Sequence, residues 1–157
     1  MEPWAALLHN HAWHGPLMFL HRSHHEPSGR WEWNDLLSSA HAPIAIALIL
    51  HGSLGAPSVW REIGFGFGLG MTFFGFSYLV VHDGLVHGRL PVKFLERWAY
   101  FRRVKNAHRV HHRDGGVPFG LFLGPWALRR QAARRRAAQS GGSSRHEPVV
   151  SRASSAR

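Results

Sequence analysis

Residues 63–81 alternate glycine with large apolar side chains and hold no charged residue over nineteen positions. As a helix they would extend about 28 Å, close to the roughly 30 Å of a bilayer's hydrocarbon core. Gly64, Gly66, Gly68 and Gly70 would weaken a soluble helix, but small residues are favoured where membrane helices pack. A second apolar stretch runs from Ala40 to about Ala56, interrupted only by His41, Pro43 and His51. Pro57-Ser58-Val59-Trp60-Arg61-Glu62 between them reads as a turn carrying an interfacial tryptophan. The pattern predicts an all-α fold, an integral membrane helical bundle whose centre is a hairpin that crosses the bilayer and returns. Met1–Leu8 reads as the last turns of a further membrane helix running straight into His9. Either the native chain begins unusually late or an upstream helix is missing ahead of Met1.

Charge refines this picture. Arg89, Lys93, Arg97, Arg102, Arg103, Lys105, Arg109 and Arg113 crowd the loop after the second crossing, whereas the connection between crossings has only Arg61. The positive-inside bias assigns the later loop to the cytoplasmic side, in a bacterial inner membrane. The histidine text at 9–25 precedes the first crossing and that at 82–112 follows the second, so all of it falls on that one side. Residues 129–157 carry eight arginines against Glu147, leaving only +3 of the formal +10 for residues 1–128. That tail has almost no large apolar residues and is expected to be disordered. The chain divides into a membrane-embedded domain, 1–128, and a disordered basic tail, 129–157. The slightly negative mean hydropathy, −0.19, averages the two. No nucleic-acid reading motif accompanies the basic residues, so a nucleic-acid partner is not expected. Val117–Trp126 is apolar but too short to span, and would either lie at the interface or cover a site.

Histidine carries the chemistry. Most of the fourteen histidines fall in four clusters: His9-Asn10-His11-Ala12-Trp13-His14, His21-Arg22-Ser23-His24-His25, His82-Asp83-Gly84-Leu85-Val86-His87 and His108-Arg109-Val110-His111-His112. Cysteine is absent, which removes disulfides and thiolate zinc sites. Imidazole is the commonest protein ligand of transition metals. Some ten imidazoles with few carboxylates are too many for one ion and suit a pair. His41, His51 and His146 stand alone and are left out.

The spacings differ in what they allow. In H-x-x-H-H a helix sets the first ring on the same face as those three and four residues later. In H-x-x-x-x-H the offset is five residues, roughly 140° around an α-helix, so convergence needs a kink, a bulge or a helix end. Gly84 is a candidate break. In the first cluster His11 and His14 are the easier helical pair, and geometry leaves His9 and His11 both open. Asp83, Glu26 and Asp35 are candidates to orient ring nitrogens from behind. Phe73, Phe74, Phe76 and Tyr78 are candidates for an apolar substrate pocket, although aromatics at such spacing also simply pack.

At His14-Gly15, Leu20-His21-Arg22-Ser23-His24-His25-Glu26-Pro27, Asn34-Asp35-Leu36, Val81-His82-Asp83-Gly84-Leu85-Val86-His87, Ala107-His108-Arg109-Val110-His111-His112 and Phe119-Gly120 the chain resembles the bacterial-type β-carotene 3-hydroxylases, within the membrane-bound fatty acid hydroxylase superfamily. The resemblance covers roughly residues 1–127. It implies a non-haem di-iron monooxygenase that uses O2 to hydroxylate carbon 3 of a β-ionone ring, taking β-carotene through β-cryptoxanthin to zeaxanthin. Ketolated carotenoids are implied as further substrates, with reduced ferredoxin and its reductase as electron source. It implies a ligand set of His9, His14, His21, His24, His25, His82, His87, His108, His111 and His112, with His11 at a variable position and no catalytic residue beyond the metal ligands. Two other readings remain: a histidine-box hydroxylase of fatty acids or sterols, and a non-catalytic metal-binding membrane protein. The basic loop suits either an acidic electron-transfer partner or anionic lipid.

Overall fold

The structure is a computed structural model and describes residues 1–26 and 32–143. Every regular element among the described residues is helical. Helix α1 (Glu2–Leu8) runs without interruption into a π-helical turn at His9–Trp13, and α2 (Met18–His25) follows. Short α3 (Asn34–Ser39) abuts α4 (His41–Ser53); together they form an apolar span of 20 residues, Asn34–Ser53. Helix α5 (Val59–Tyr78) continues into a second π-helix, Leu79–Val86, and this 28-residue rod is the second span. A 3-10 turn (Lys93–Arg97), α6 (Ala99–Asp114) and α7 (Gly124–Ser143) complete the chain.

Helices α4 and α5 form the expected hairpin, and its outward side chains identify a membrane protein. Ile44, Ile46, Leu50, Phe67, Phe73 and Phe76 all lie more than half exposed, a surface that only lipid would favour. The bend is tighter than the sequence suggests. Ser58 caps α5 by accepting from the Arg61 N–H, so Trp60, Arg61 and Glu62 belong to the helix and not to a turn. Arg61 reaches back to the His51 carbonyl at 2.6 Å, fastening the two helix ends. Of the four spaced glycines, only Gly68 lies tight against α4: a Cβ there would meet Ile49 Cγ1 at 2.8 Å and the Ala45 carbonyl at 2.9 Å. Gly66 and Gly70 face open space. Gly52 of α4 makes the reciprocal close approach, to Phe65.

The buried apolar core lies beyond the hairpin, at one end. Val81, Leu85, Val104 and Leu121 form it, with Tyr78, Val86, Val92, Leu95, Phe101 and Phe122 packed around. It joins the second π-helix to α6, and Gly115 (φ +66°) then ends α6 in the left-handed conformation glycine tolerates. The basic stretch 89–113 is therefore mostly helix, not loop. Several of its cations are engaged locally: Arg102 with the Glu96 and Arg97 carbonyls, Lys105 with Glu96, and Arg97 over the Trp98 ring.

The tail also differs from expectation. Residues 129–143 continue α7 as helix, because Ala, Arg, Leu and Gln favour that state even with little to bury. The remainder of the predicted disordered tail, 144–157 with His146, lies outside the described residues.

Candidate metal centre

The five-residue spacings are solved by the two π-turns. A π-turn closes its hydrogen bond five residues back. The bonds His14 N–H to His9 O and His87 N–H to His82 O, both 3.0 Å, join the two members of each H-x-x-x-x-H pair. Five-apart positions thus share a face. Gly84 does not break the helix. It sits within the second π-turn, where a Cβ would strike Val92 Cγ2 at 2.7 Å. The two H-x-x-H-H motifs lie on ordinary α-helix in α2 and α6, as their spacing predicts.

These four helical segments aim their rings at two adjacent places. His9, His14, His21, His25 and His111 form one group, and His24, His82, His87 and His108 another; within each, the candidate ligand atoms lie within 4.8 Å of one another. His112 belongs with the second group, its Nε2 being 3.1 Å from that of His24 and 2.9 Å from that of His108. Its ring also stacks on His25, centroids 4.5 Å apart, so it abuts both groups. All ten histidines singled out from the sequence are therefore brought together. His11 is exposed and its ring meets the Asn10 amide at 3.3 Å, and His51 is exposed on the hairpin.

The outer nitrogens explain how the rings are aimed. His9 Nδ1 donates to Phe119 O at 2.7 Å, His21 Nδ1 to Asn34 Oδ1 at 2.6 Å, and His111 Nδ1 to Gly116 O at 2.6 Å. His24 Nδ1 donates to Glu32 Oε2 and His82 Nδ1 to Asp83 Oδ1, both at 2.9 Å. An oxygen that only accepts fixes the proton on Nδ1 and leaves a lone pair on Nε2, turned inward. The Nε2 atoms of His9 and His21 then face each other at 3.0 Å with no proton between them. Two lone pairs at that distance repel unless a cation sits among them. His87 Nε2 is buried and has no hydrogen-bond partner among the described residues. The donor set therefore fits metal ions, and it is made wholly of nitrogen.

Electrostatics agrees. Burial, aided by neighbouring imidazoles, lowers His14, His21 and His111 to about 4, His87 to about 3, and His9 and His112 to about 2. His24, His25 and His108 are lowered by the same cause. These nine rings are thus neutral at physiological pH, the state a metal requires.

The three carboxylates proposed from sequence fare differently. Asp83 does back His82. Asp35 touches no ring; it accepts from the Glu32 N–H at 3.3 Å and from Arg89 at 2.9 Å. Glu26 ends α2, exposed, with no ring contact among the described residues. Glu32 and Asn34, which do hold rings, were not singled out. Of the two fates open to Val117–Trp126, covering the site is the one observed: besides its carbonyl, the Phe119 ring lies edge-on to His9, His14 and His111.

The aromatics of α5 divide as well. Phe73 and Phe74 line an apolar cavity of about 400 Å³ with Met1, Gly70, Ser77 and Phe122, whereas Phe76 points outward. Tyr78 stacks on His82, centroids 4.5 Å apart.

Residues 2–128 match the fatty acid hydroxylase family. The chain is 48% identical over 131 residues to a chloroplastic beta-carotene 3-hydroxylase of Gentiana lutea, covering 82% of this chain and 41% of that protein. Beta-carotene 3-hydroxylase 2 of Arabidopsis thaliana is 47% identical over 128 residues, 80% of this chain and 42% of the other. Beta-carotene hydroxylase of Pantoea ananas is 42% identical over 141 residues, 86% and 77%. The chain thus spans about two fifths of the plant relatives' length and most of the bacterial one's. No solved structure matches it significantly. With the histidine segments all inside the matched residues, the chain belongs to the fatty acid hydroxylase family.

Proposed function

We propose that the protein is a carotenoid ring hydroxylase that converts β-carotene through β-cryptoxanthin to zeaxanthin. The observation that carries this reading is the gathering of ten imidazoles, from segments as distant as His9 and His112, into two nitrogen-only groups at one end of a membrane hairpin. Relatives that it resembles over most of its own length bear the names beta-carotene 3-hydroxylase and beta-carotene hydroxylase.

Each turnover would consume O2, two electrons and two protons, placing one oxygen in a ring C–H bond and releasing the other as water. A pair of non-haem iron ions, when bound, would supply the activation of dioxygen. The chain's own contribution is to hold Nε2 lone pairs inward, to keep the rings neutral by burial, and to shut out water with the 116–123 segment. Electrons are assigned to reduced ferredoxin, regenerated by its reductase. Both histidine-bearing ends lie on the same side of an even number of crossings, and the cations of α6 lie on that side too. This supports a cytoplasmic-facing site in a bacterial inner membrane.

Substrate would come from the bilayer. The cavity beside Phe73 and Phe74 opens on the lipid-facing side of α5, and Phe74, Tyr78 and His82 continue from it as a row of rings. That row is an apolar wall linking the cavity to the second histidine group.

Expression in cells that accumulate β-carotene tests the proposal, with pigments separated by chromatography. Appearance of β-cryptoxanthin and zeaxanthin is expected. Unchanged β-carotene from well-expressed, iron-replete protein would rule the reading out.

A further inference from the structure

The two histidine groups differ in what stands behind their rings. In the group of His9, His14, His21, His25 and His111, the outer acceptors seen among the described residues are uncharged: the carbonyls of Phe119 and Gly116 and the side-chain amide of Asn34. In the group of His24, His82, His87, His108 and His112, two are carboxylates, Glu32 and Asp83. Both are held by one cation. Arg89 lies 2.5 Å from Glu32 Oε1, 2.9 Å from Asp35 Oδ1 and 3.9 Å from Asp83 Oδ1. The Glu32 side chain is only 5% exposed and cannot swing to water without leaving Arg89 and His24 together.

A carboxylate that accepts from Nδ1–H makes the opposite nitrogen a stronger donor, and it places negative charge near the ion. A carbonyl or amide does less of both. From this asymmetry we propose that the two metal sites are inequivalent, and that Glu32 and Asp83, positioned by Arg89, make the His24 group hold its ion more tightly than the His9 group holds its own. The inference rests on the di-metal reading above. Glu32 and Asp83 are positioning residues, acting through His24 and His82. The more weakly held ion lies in the group that Phe119 covers.

The test follows iron leaving the purified, iron-loaded full chain in detergent, under anaerobic reduction, as an Fe(II) chelator captures it. Two phases of equal amplitude are expected. Glu32→Gln and Asp83→Asn each keep an acceptor oxygen but remove the charge, and should speed only the slow phase by about 10- to 100-fold. Asn34→Asp adds a carboxylate behind His21 and should slow only the fast phase. Mössbauer spectra should show two iron environments, of which Glu32→Gln shifts one. A single release phase for both ions, or slow-phase rates unmoved in Glu32→Gln and Asp83→Asn, overturns the inference while leaving a di-iron hydroxylase intact. A chain that holds no iron overturns both. Loss of carotene conversion alone does not bear on release, so the two failures are told apart.

Discussion

His24 and His112 meet Nε2 to Nε2 at 3.1 Å across 88 positions of chain. No local motif produces that approach. It requires α2 and α6 to turn their histidine rings towards one another, and it gives α6 consecutive histidines that serve different groups, His111 the first and His112 the second.

Removing either should therefore have distinct metal consequences. His111→Ala and His112→Ala are each expected to lower carotene conversion at least 100-fold, with protein still accumulating. Iron per chain should fall from two towards one in both, from opposite sites. Chromatography of pigments, immunoblotting and metal analysis would check this, and retained conversion in His111→Ala would remove that residue from the ligand set.

Acid should empty the centre. His14, His21 and His111 are lowered to about 4, so between about 6.5 and 4 the unfolded or released rings bind more protons than the folded ones. Stability and iron retention are accordingly full above about pH 6.5 and decline as pH falls towards 4. Iron content and thermal melts across pH 4–8 should decline together below about 6.5; a flat profile down to pH 4 would contradict the burial of these rings.

The hairpin makes a prediction that discriminates between glycines. Gly68→Leu drives a side chain into Ile49 and the Ala45 carbonyl, and should cost roughly 1–3 kcal/mol. Gly66→Leu, with open space around it, should stay within about 0.5 kcal/mol. Detergent unfolding of the two variants compares them directly, and equal losses would mean the α4–α5 approach is wrong.

Truncation separates the basic end from the chemistry. All ten histidines, and every oxygen that holds their rings, precede Gly120. Deleting residues 129–157 should leave conversion per unit of accumulated protein within about twofold. A loss of tenfold or more would give that region a part in turnover.

Much of this was legible in the residues. Uncharged runs marked the hairpin, and H-x-x-H-H declared its face because three and four steps match an α-turn. The five-step pairs could be recognised as chemistry but not as geometry. α-Periodicity sets His82 and His87 apart, and nothing in Leu79–Val86 announces a π-helix. Glu32 escaped notice because it stands outside every histidine cluster and becomes a partner only once α3 folds back on α2. Asn34 lay within text that marked the family resemblance, yet an amide does not advertise itself as a clamp on His21. In the tail, lack of apolar residues outweighed the strong helix preference of alanine and arginine, which α7 follows to Ser143.

The π-turns carry a consequence for how such a chain can change over time. Exchanging Asn10, His11 or Ala12 alters letters between two ligands, but losing one of them alters count. Losing Asn10 or Ala12 would let the stretch relax to ordinary α-helix with its two ligands four apart and still on one face, whereas the five-step spacing in an ordinary α-helix would part them by roughly 140°, with all fourteen histidines encoded in either case. The extra residue and the π-turn that absorbs it are therefore tied together: neither can be given up without the other if the two rings are to keep a common face.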